Sequence, residues 1–312
     1  MKIGLIDVDG KKNFPNIALM KLSTFHKRKG DSVSWAIPLL SYDRVYMSKV
    51  FSTSSEYNSI IKADEIIKGG TGYDLQTRLS DEIEHLCPDY KLYPQFFDMA
   101  YGFLSRGCPR NCAFCTVSKK EGLISHKVAD LSEFYRGQKY IKLLDPNITA
   151  CKDRLELFDQ LIESKAYVDI TQGLDIRLMN EELAERLKHM RIKMVHFAWD
   201  QKGQEKTIIK NLKMAKEVGE LQAWNSKVYV LINFDTDRDY DFYRIYKIRE
   251  LGFDPYVMIY DLAPPDPEAK KIARWVNNKY VFNRVHKFED YNTSDRANEI
   301  IDERQVKLKS II

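Results

Sequence analysis

The chain has 312 residues, with 49 lysines and arginines against 45 aspartates and glutamates and a formal net charge of +4. At 44% hydrophobic and 30% charged residues it holds enough apolar material for two domains, and so balanced a charge does not by itself mark a nucleic-acid binder. No apolar run approaches the roughly 18 residues of a membrane span, the longest being strand-sized pieces such as Met194 to Trp199.

From the start, Ile3 to Val8 reads as a strand rather than as the charged and apolar regions of a signal peptide. Asn16 to Lys29 then reads as a helix with Ile17, Leu19, Leu22 and Phe25 on its apolar face, stopped by basic residues and Gly30. Short strands follow at 33–37, 44–50 and 65–68, an alternation that predicts parallel pairing with crossover helices. Gly69, Gly70 and Gly72 do not have dinucleotide spacing, so they are expected to serve a loop with unusual backbone angles. Residues 79–95 read as a helix and linker punctuated by Pro88 and Pro94. The fold class is α/β, with one domain over residues 1–92 and a second over 93–312 that ends in a C-terminal extension.

In the second domain six strand–helix units can be counted. Strands are expected at 100–104, 140–144, 167–171, 194–198, 228–232 and 256–259, with helices at 151–165, 180–190, 206–218 and 240–251. Near the end, residues 270–280 interleave lysine and arginine with Trp275 and Tyr280. This reads as a solvated face with both aromatics docked on the core, in preference to a polyanion contact.

The chemistry-bearing feature is the run Gly107-Cys108-Pro109-Arg110-Asn111-Cys112-Ala113-Phe114-Cys115. Three thiolates on one short loop suit three irons of a cubane cluster and leave the fourth iron open to a non-protein ligand. Arg106, Arg110, Lys119, Lys120 and Lys127 surround it. A structural zinc site would need a fourth ligand, and the nearest candidates, His126 and Cys151, stand at no usual spacing. Five cysteines are an odd and sparse count, which argues against a disulfide framework, and a reducing cytoplasm is expected from the lack of a membrane-length apolar run and of signal-peptide regions; Cys87 and Cys151 read as buried thiols.

The C-x3-C-x2-C spacing, with Phe114 directly before the last cysteine, resembles the signature of the radical S-adenosylmethionine superfamily. The six strand–helix units resemble its partial (β/α)6 TIM-type barrel. The resemblance covers essentially the whole chain and is most specific at residues 102–122. It implies a [4Fe–4S] cluster held by Cys108, Cys112 and Cys115 whose open iron chelates S-adenosylmethionine. Reductive cleavage would yield a 5′-deoxyadenosyl radical for hydrogen abstraction from a substrate. That chemistry is oxygen-sensitive and takes its electron from a donor such as flavodoxin or ferredoxin. The strand order of the first domain, with Ser48 after the third strand and the glycines after the fourth, resembles the Rossmann-like cobalamin-binding module of many such enzymes. That family's Asp-x-His-x-x-Gly motif is replaced here by Asp7-Val8-Asp9-Gly10-Lys11-Lys12, so no cobalamin is expected. His26, near a Lys-rich helix end, is a poor substitute ligand, and the domain is expected to serve instead as a lid over the barrel mouth, with the loop from Gly69 to Asp74 facing the cluster side and narrowing substrate access.

In barrels, function gathers at the C-terminal ends of strands, and the resemblance assigns cofactor-binding roles there. Phe114 would pack near the adenine. Asp145 and Asn147 are candidates for the amino group of S-adenosylmethionine, although a Pro-containing turn would place the same residues there. Arg177 is the candidate for the methionine carboxylate, with Gln172 and Asp175 beside it, and Asp175 could equally serve only to neutralise Arg177. Asp200 is a candidate ribose or substrate contact, and Asn233 a further cofactor contact, whereas Asp235 and Asp237 could equally cap the next helix. His196 reads as a core residue. After the sixth strand, Asp261 to Pro265 would line a substrate mouth. The substrate class stays open among a nucleotide, a peptide and a small metabolite, and no membrane is implied. The alternative from another class is a non-catalytic RNA-binding module stapled by zinc or an Fe–S cluster and using the basic, aromatic tail.

Overall fold

The computed structural model describes residues 1–10, 14–260 and 266–292. Lys11, Lys12 and the expected substrate-mouth segment 261–265 lie outside the described residues. The architecture is α/β with two parallel sheets. The chain divides into two compact units, Met1–Gln172 with His189–Lys193, and Gly173–Lys188 with Met194–Ile312.

The first sheet has four strands: β1 (Lys2–Asp7), β2 (Ser32–Trp35), β3 (Ser41–Ser48) and β4 (Lys62–Gly69), in the order β2-β1-β3-β4 and parallel throughout. One helix, α1 (Ile17–Arg28), joins β1 to β2. The expected crossover helices are otherwise missing: residues 36–40 and 49–61 return the chain without one. Both faces of the sheet are nonetheless filled. Ile3, Leu5, Leu19 and Leu22 form one cluster with Val33, Trp35 and Tyr46, and Ile6, Tyr42, Val45 and Met47 form the other. Asn16 caps α1 by accepting from Leu19 N–H at 3.2 Å, and its amide donates to Ser48 Oγ at 2.8 Å, tying the helix start to the end of β3. The end of α1 is fixed rather than fraying. His26 is buried there between the Asp31 carboxylate (2.6 Å) and the Tyr46 hydroxyl (2.9 Å). The helix and linker expected at 79–95 are the single turn α2 (Asp81–Glu84) followed by two tight turns around Pro88 and Pro94.

The second sheet has six strands in the order β12-β11-β10-β9-β8-β5. The first unit supplies β5 (Met99–Gly102), β8 (Tyr140–Leu143) and β9 (Tyr167–Ile170), which pair in parallel. Between β5 and β8 lies a feature the residue pattern does not reveal. A two-stranded antiparallel ribbon, β6 (Ser105–Arg106) with β7 (His126–Lys127), carries the short helix α3 (Val117–Glu121) in its loop. Helix α4 (Arg154–Ser164) buries Leu157, Phe158 and Leu161 and ends at Lys165 with φ 55°.

The second unit holds α5 (Glu181–His189), most of β10 (Ile192–Ala198), α6 (Glu205–Glu217), β11 (Ser226–Ile232), α7 (Arg238–Glu250), β12 (Asp254–Ile259), α8 (Pro267–Asn277) and α9 (Lys279–Arg284). Along β11 every second residue, Val228, Val230 and Ile232, is fully buried, as expected for a strand with one face under helices. Helix α7 packs on β11 and β12, and α8 on β12. Asn277 on α8 pairs with the outer edge of β12, its Oδ1 accepting from Val257 N–H (2.8 Å) and its Nδ2 donating to Val257 C=O (2.9 Å). The basic segment 270–280 is divided: Trp275 is wholly buried and donates to Val285 C=O at 2.9 Å, but Tyr280, expected on the core, is 58% exposed.

Arg244 on α7 holds the second unit together. Fully buried, its guanidinium donates to Trp199 C=O (2.7 Å) and Asp200 C=O (3.0 Å) beyond β10, to Leu231 C=O in β11 (2.9 Å), and to Asp241 (2.6 Å). Burial pushes the Asp241 carboxyl up, against the pull of Thr236 and Arg244. Removing one partner of a buried ion pair strands the other, at a cost of about 3–5 kcal/mol. Arg244→Met should therefore lower the unfolding free energy by about that amount, read from urea denaturation.

Candidate metal centre

The three cysteines lie in the loop of the β6–β7 ribbon, directly after the first strand of the second sheet. The ribbon closes the base of this loop, so Cys108, Cys112 and Cys115 share one short excursion between fixed ends. Gly107 opens it at φ 87°, and a Cβ there would fall 2.1 Å from Ile124 C=O, so only glycine lets the two sides of the loop pass. Cys108 N–H donates to Gly122 C=O (3.1 Å), and Cys115 N–H to Cys112 C=O (2.9 Å), which folds the second and third cysteines into a turn. Asn111, left-handed at φ 47°, accepts from Ser118 Oγ at 2.8 Å. All three cysteines are half-buried and no disulfide joins any of the five.

Neighbouring elements of the same unit brace this loop. Arg106 bonds Glu121 (2.9 Å) and Glu84 (3.2 Å). Lys120 donates to Thr71 Oγ1, and Arg78 to Lys120 C=O, so both the segment from Gly69 to Asp74 and the chain at Arg78 lie against α3. Within that segment only Gly70 has a positive φ, 99°, and a Cβ there would run into Lys49 C=O.

Asp145 and Asn147 follow β8 and point to the loop from below. The Asp145 carboxylate is 0% exposed. It accepts from Leu104 N–H (3.1 and 3.2 Å to its two oxygens), Ser105 N–H (2.5 Å) and Ser105 Oγ (2.7 Å), pinning the residues between β5 and the ribbon. Burial pushes its pKa up to about 6, against the opposite pull of those hydrogen bonds. Asn147 donates from Nδ2 to Cys108 Sγ at 3.5 Å and caps the turn at 148–150. Phe114 is half-buried in the cysteine turn, and Gln172, beyond β9, is exposed.

In the second unit Asp175 and Arg177 are brought together. Asp175 accepts from Arg177 Nε at 2.6 Å and caps the turn they share, while Arg177 Nη1 reaches Gln204 at 3.3 Å. Asp200 is half-buried, its Oδ1 accepting from Leu231 N–H at 3.0 Å, and desolvation raises its pKa. Asn233 stands at the end of β11 with φ 65°, and Asp237 caps α7 through Tyr240 N–H at 2.8 Å. His196 is buried and stacks on Tyr229, with centroids 5.0 Å apart and an interplanar angle of 11°. Of the two remaining thiols, Cys151 is buried, but Cys87 is only half-buried, unlike its expected position.

Among the described residues no group of three or more His, Cys, Asp and Glu side chains is gathered as a ready-made metal site, with or without His126 and Cys151. The donor set of the loop nonetheless fits an iron–sulfur cluster: three soft ligands on one fixed excursion, with a side-chain N–H aimed at one of the sulfurs. Among the described residues no helix is long and apolar enough to cross a membrane. No protein-family model matches the chain, and no curated protein matches it.

Asp145 carries a pH dependence of known sign. The folded chain binds its proton more tightly than the unfolded chain, where aspartate titrates near 3.8. Its contribution to stability is therefore full below about pH 4 and lost as pH rises through about 6. The loss amounts to about 3 kcal/mol at about 1.4 kcal/mol per pKa unit. Denaturation curves between pH 4 and 7 should show this slope in the parent, and Asp145→Asn, which keeps an acceptor for Leu104 and Ser105, should flatten it.

Proposed function

We propose that this chain is a radical S-adenosylmethionine enzyme, with a Rossmann-like N-terminal domain and a partial (β/α)6 barrel built on the six-stranded sheet. The observation that carries the reading is the three-cysteine loop, fixed at its base by the ribbon and placed directly after the first strand of a parallel sheet. Sequential strand order and a functional loop after a strand suit a barrel whose chemistry sits at strand C-termini.

Cys108, Cys112 and Cys115 would hold a [4Fe–4S] cluster. Once bound, that group and S-adenosylmethionine supply one-electron cleavage of the sulfonium bond and hydrogen abstraction from a substrate carbon. The chain's own residues bind and orient. Asp145 fixes the entrance of the loop through Leu104 and Ser105, so it supports the metal centre from behind, and Phe114 offers an aromatic face between two of the cysteines. Arg177 is half committed to Asp175, and its longer bond to Gln204 is the contact a carboxylate would replace. The electron would come from an external carrier of the flavodoxin or ferredoxin kind.

Anaerobic reconstitution with iron and sulfide tests the reading. The parent chain should take up about four irons, turn brown, and on reduction convert S-adenosylmethionine to methionine and 5′-deoxyadenosine. Cys108→Ala, Cys112→Ala and Cys115→Ala should each lose iron and cleavage together, whereas Cys87→Ala and Cys151→Ala should keep both. Full iron content in Cys112→Ala would refute the assignment.

A further inference from the structure

We infer that Asn147 is a hydrogen-bond donor to the metal-bound sulfur of Cys108 and sets the reduction potential of the centre, a role that rests on the proposed function above. The amide is 3% exposed, so its NH2 group needs partners inside the protein, and Cys108 Sγ at 3.5 Å is one of them. Its orientation is dictated by its other end. Oδ1 accepts from Thr149 Oγ1 (2.7 Å) and Ala150 N–H (3.2 Å), and the backbone N–H, which can only donate, admits only an oxygen, so the NH2 group is the one that faces sulfur. The backbone is held as well. Asn147 C=O accepts from Ser125 Oγ at 2.8 Å, at the far side of the cysteine loop just before β7, so both arms of that loop are tied to this one residue.

An N–H aimed at a cluster sulfur withdraws charge from it and stabilises the reduced state, which carries one more electron. Asn147 is thus a positioning and tuning residue rather than a catalytic one. It would bring the centre within reach of a modest reductant.

The test is a potentiometric titration of the reconstituted full-length chain, followed by visible absorbance and EPR, alongside iron analysis. Asn147→Leu removes the donor at similar volume and should keep its iron while shifting the midpoint potential negative. Asn147→Asp, which presents a carboxylate to sulfur, should shift it further in the same direction. Thr149→Val keeps the amide but loosens its orientation, and should give a smaller negative shift. Full iron with an unchanged potential in Asn147→Leu overturns the inference and leaves the proposed function standing. Loss of iron from folded Asn147→Leu and Asn147→Asp alike makes the residue a structural prop and also overturns it. A parent chain that takes up no cluster overturns the proposed function, and this inference with it.

Discussion

One buried carboxylate fixes where the cysteine loop begins. Asp145 comes from the turn after β8, yet its hydrogen bonds go to Leu104 and Ser105, the point where β5 ends and the ribbon starts. Without an acceptor there, two backbone N–H groups would be left unpaired in the interior, at a cost of the order of 1–3 kcal/mol each. The ribbon, the turn that gathers the second and third cysteines, and the contact of Asn147 with the first all depend on that junction. Its cost is a carboxylate wholly removed from water, which its donors only partly offset, as the upward-shifted pKa records.

Much of the fold is legible from residue order. The strands of the second sheet are marked by branched and aromatic runs such as Val228 to Ile232, and helices α4 to α6 by apolar stripes, so expected and observed limits agree within a few residues. What escapes is set by distant pairing. The ribbon strands are two residues each and carry no periodicity of their own; they exist because Ser105 and Arg106 meet Lys127 and His126 across the cysteine loop. Parallel crossovers without helices are equally unmarked, since their return path is held by Ala36, Tyr57 and Ile61 packing on residues of β1 and β3.

The site divides along the same line. The three cysteines are visible because they are close neighbours in sequence. The polar residues expected after strands do stand at strand ends, but a type and a position do not tell which way a side chain turns. Asp145 turns to backbone, Asn147 to sulfur and Asp200 to Leu231, while Asp175 and Arg177 turn to each other. Arg244 leaves no trace beyond an Asp241-x-x-Arg244 spacing on a helix with aromatic residues on every side, which reads as an ordinary surface pair. His26 misleads in the opposite direction, since three basic residues at a helix end suggest solvent where Asp31 and Tyr46 in fact enclose the ring.

The outer strand of each sheet bears on how the chain behaves among copies of itself. An unpaired strand edge is a template for another chain, and here two remedies are used. The edge of β4 is defended by charge, with Lys62, Asp64, Glu65 and Lys68 along it. That of β12 is defended by mimicry, because the Asn277 amide supplies one donor and one acceptor to Val257 as a neighbouring backbone would. A newly made chain has no such cover on β12 until α8 emerges and docks, so the interval between them is when intermolecular strand pairing competes with folding.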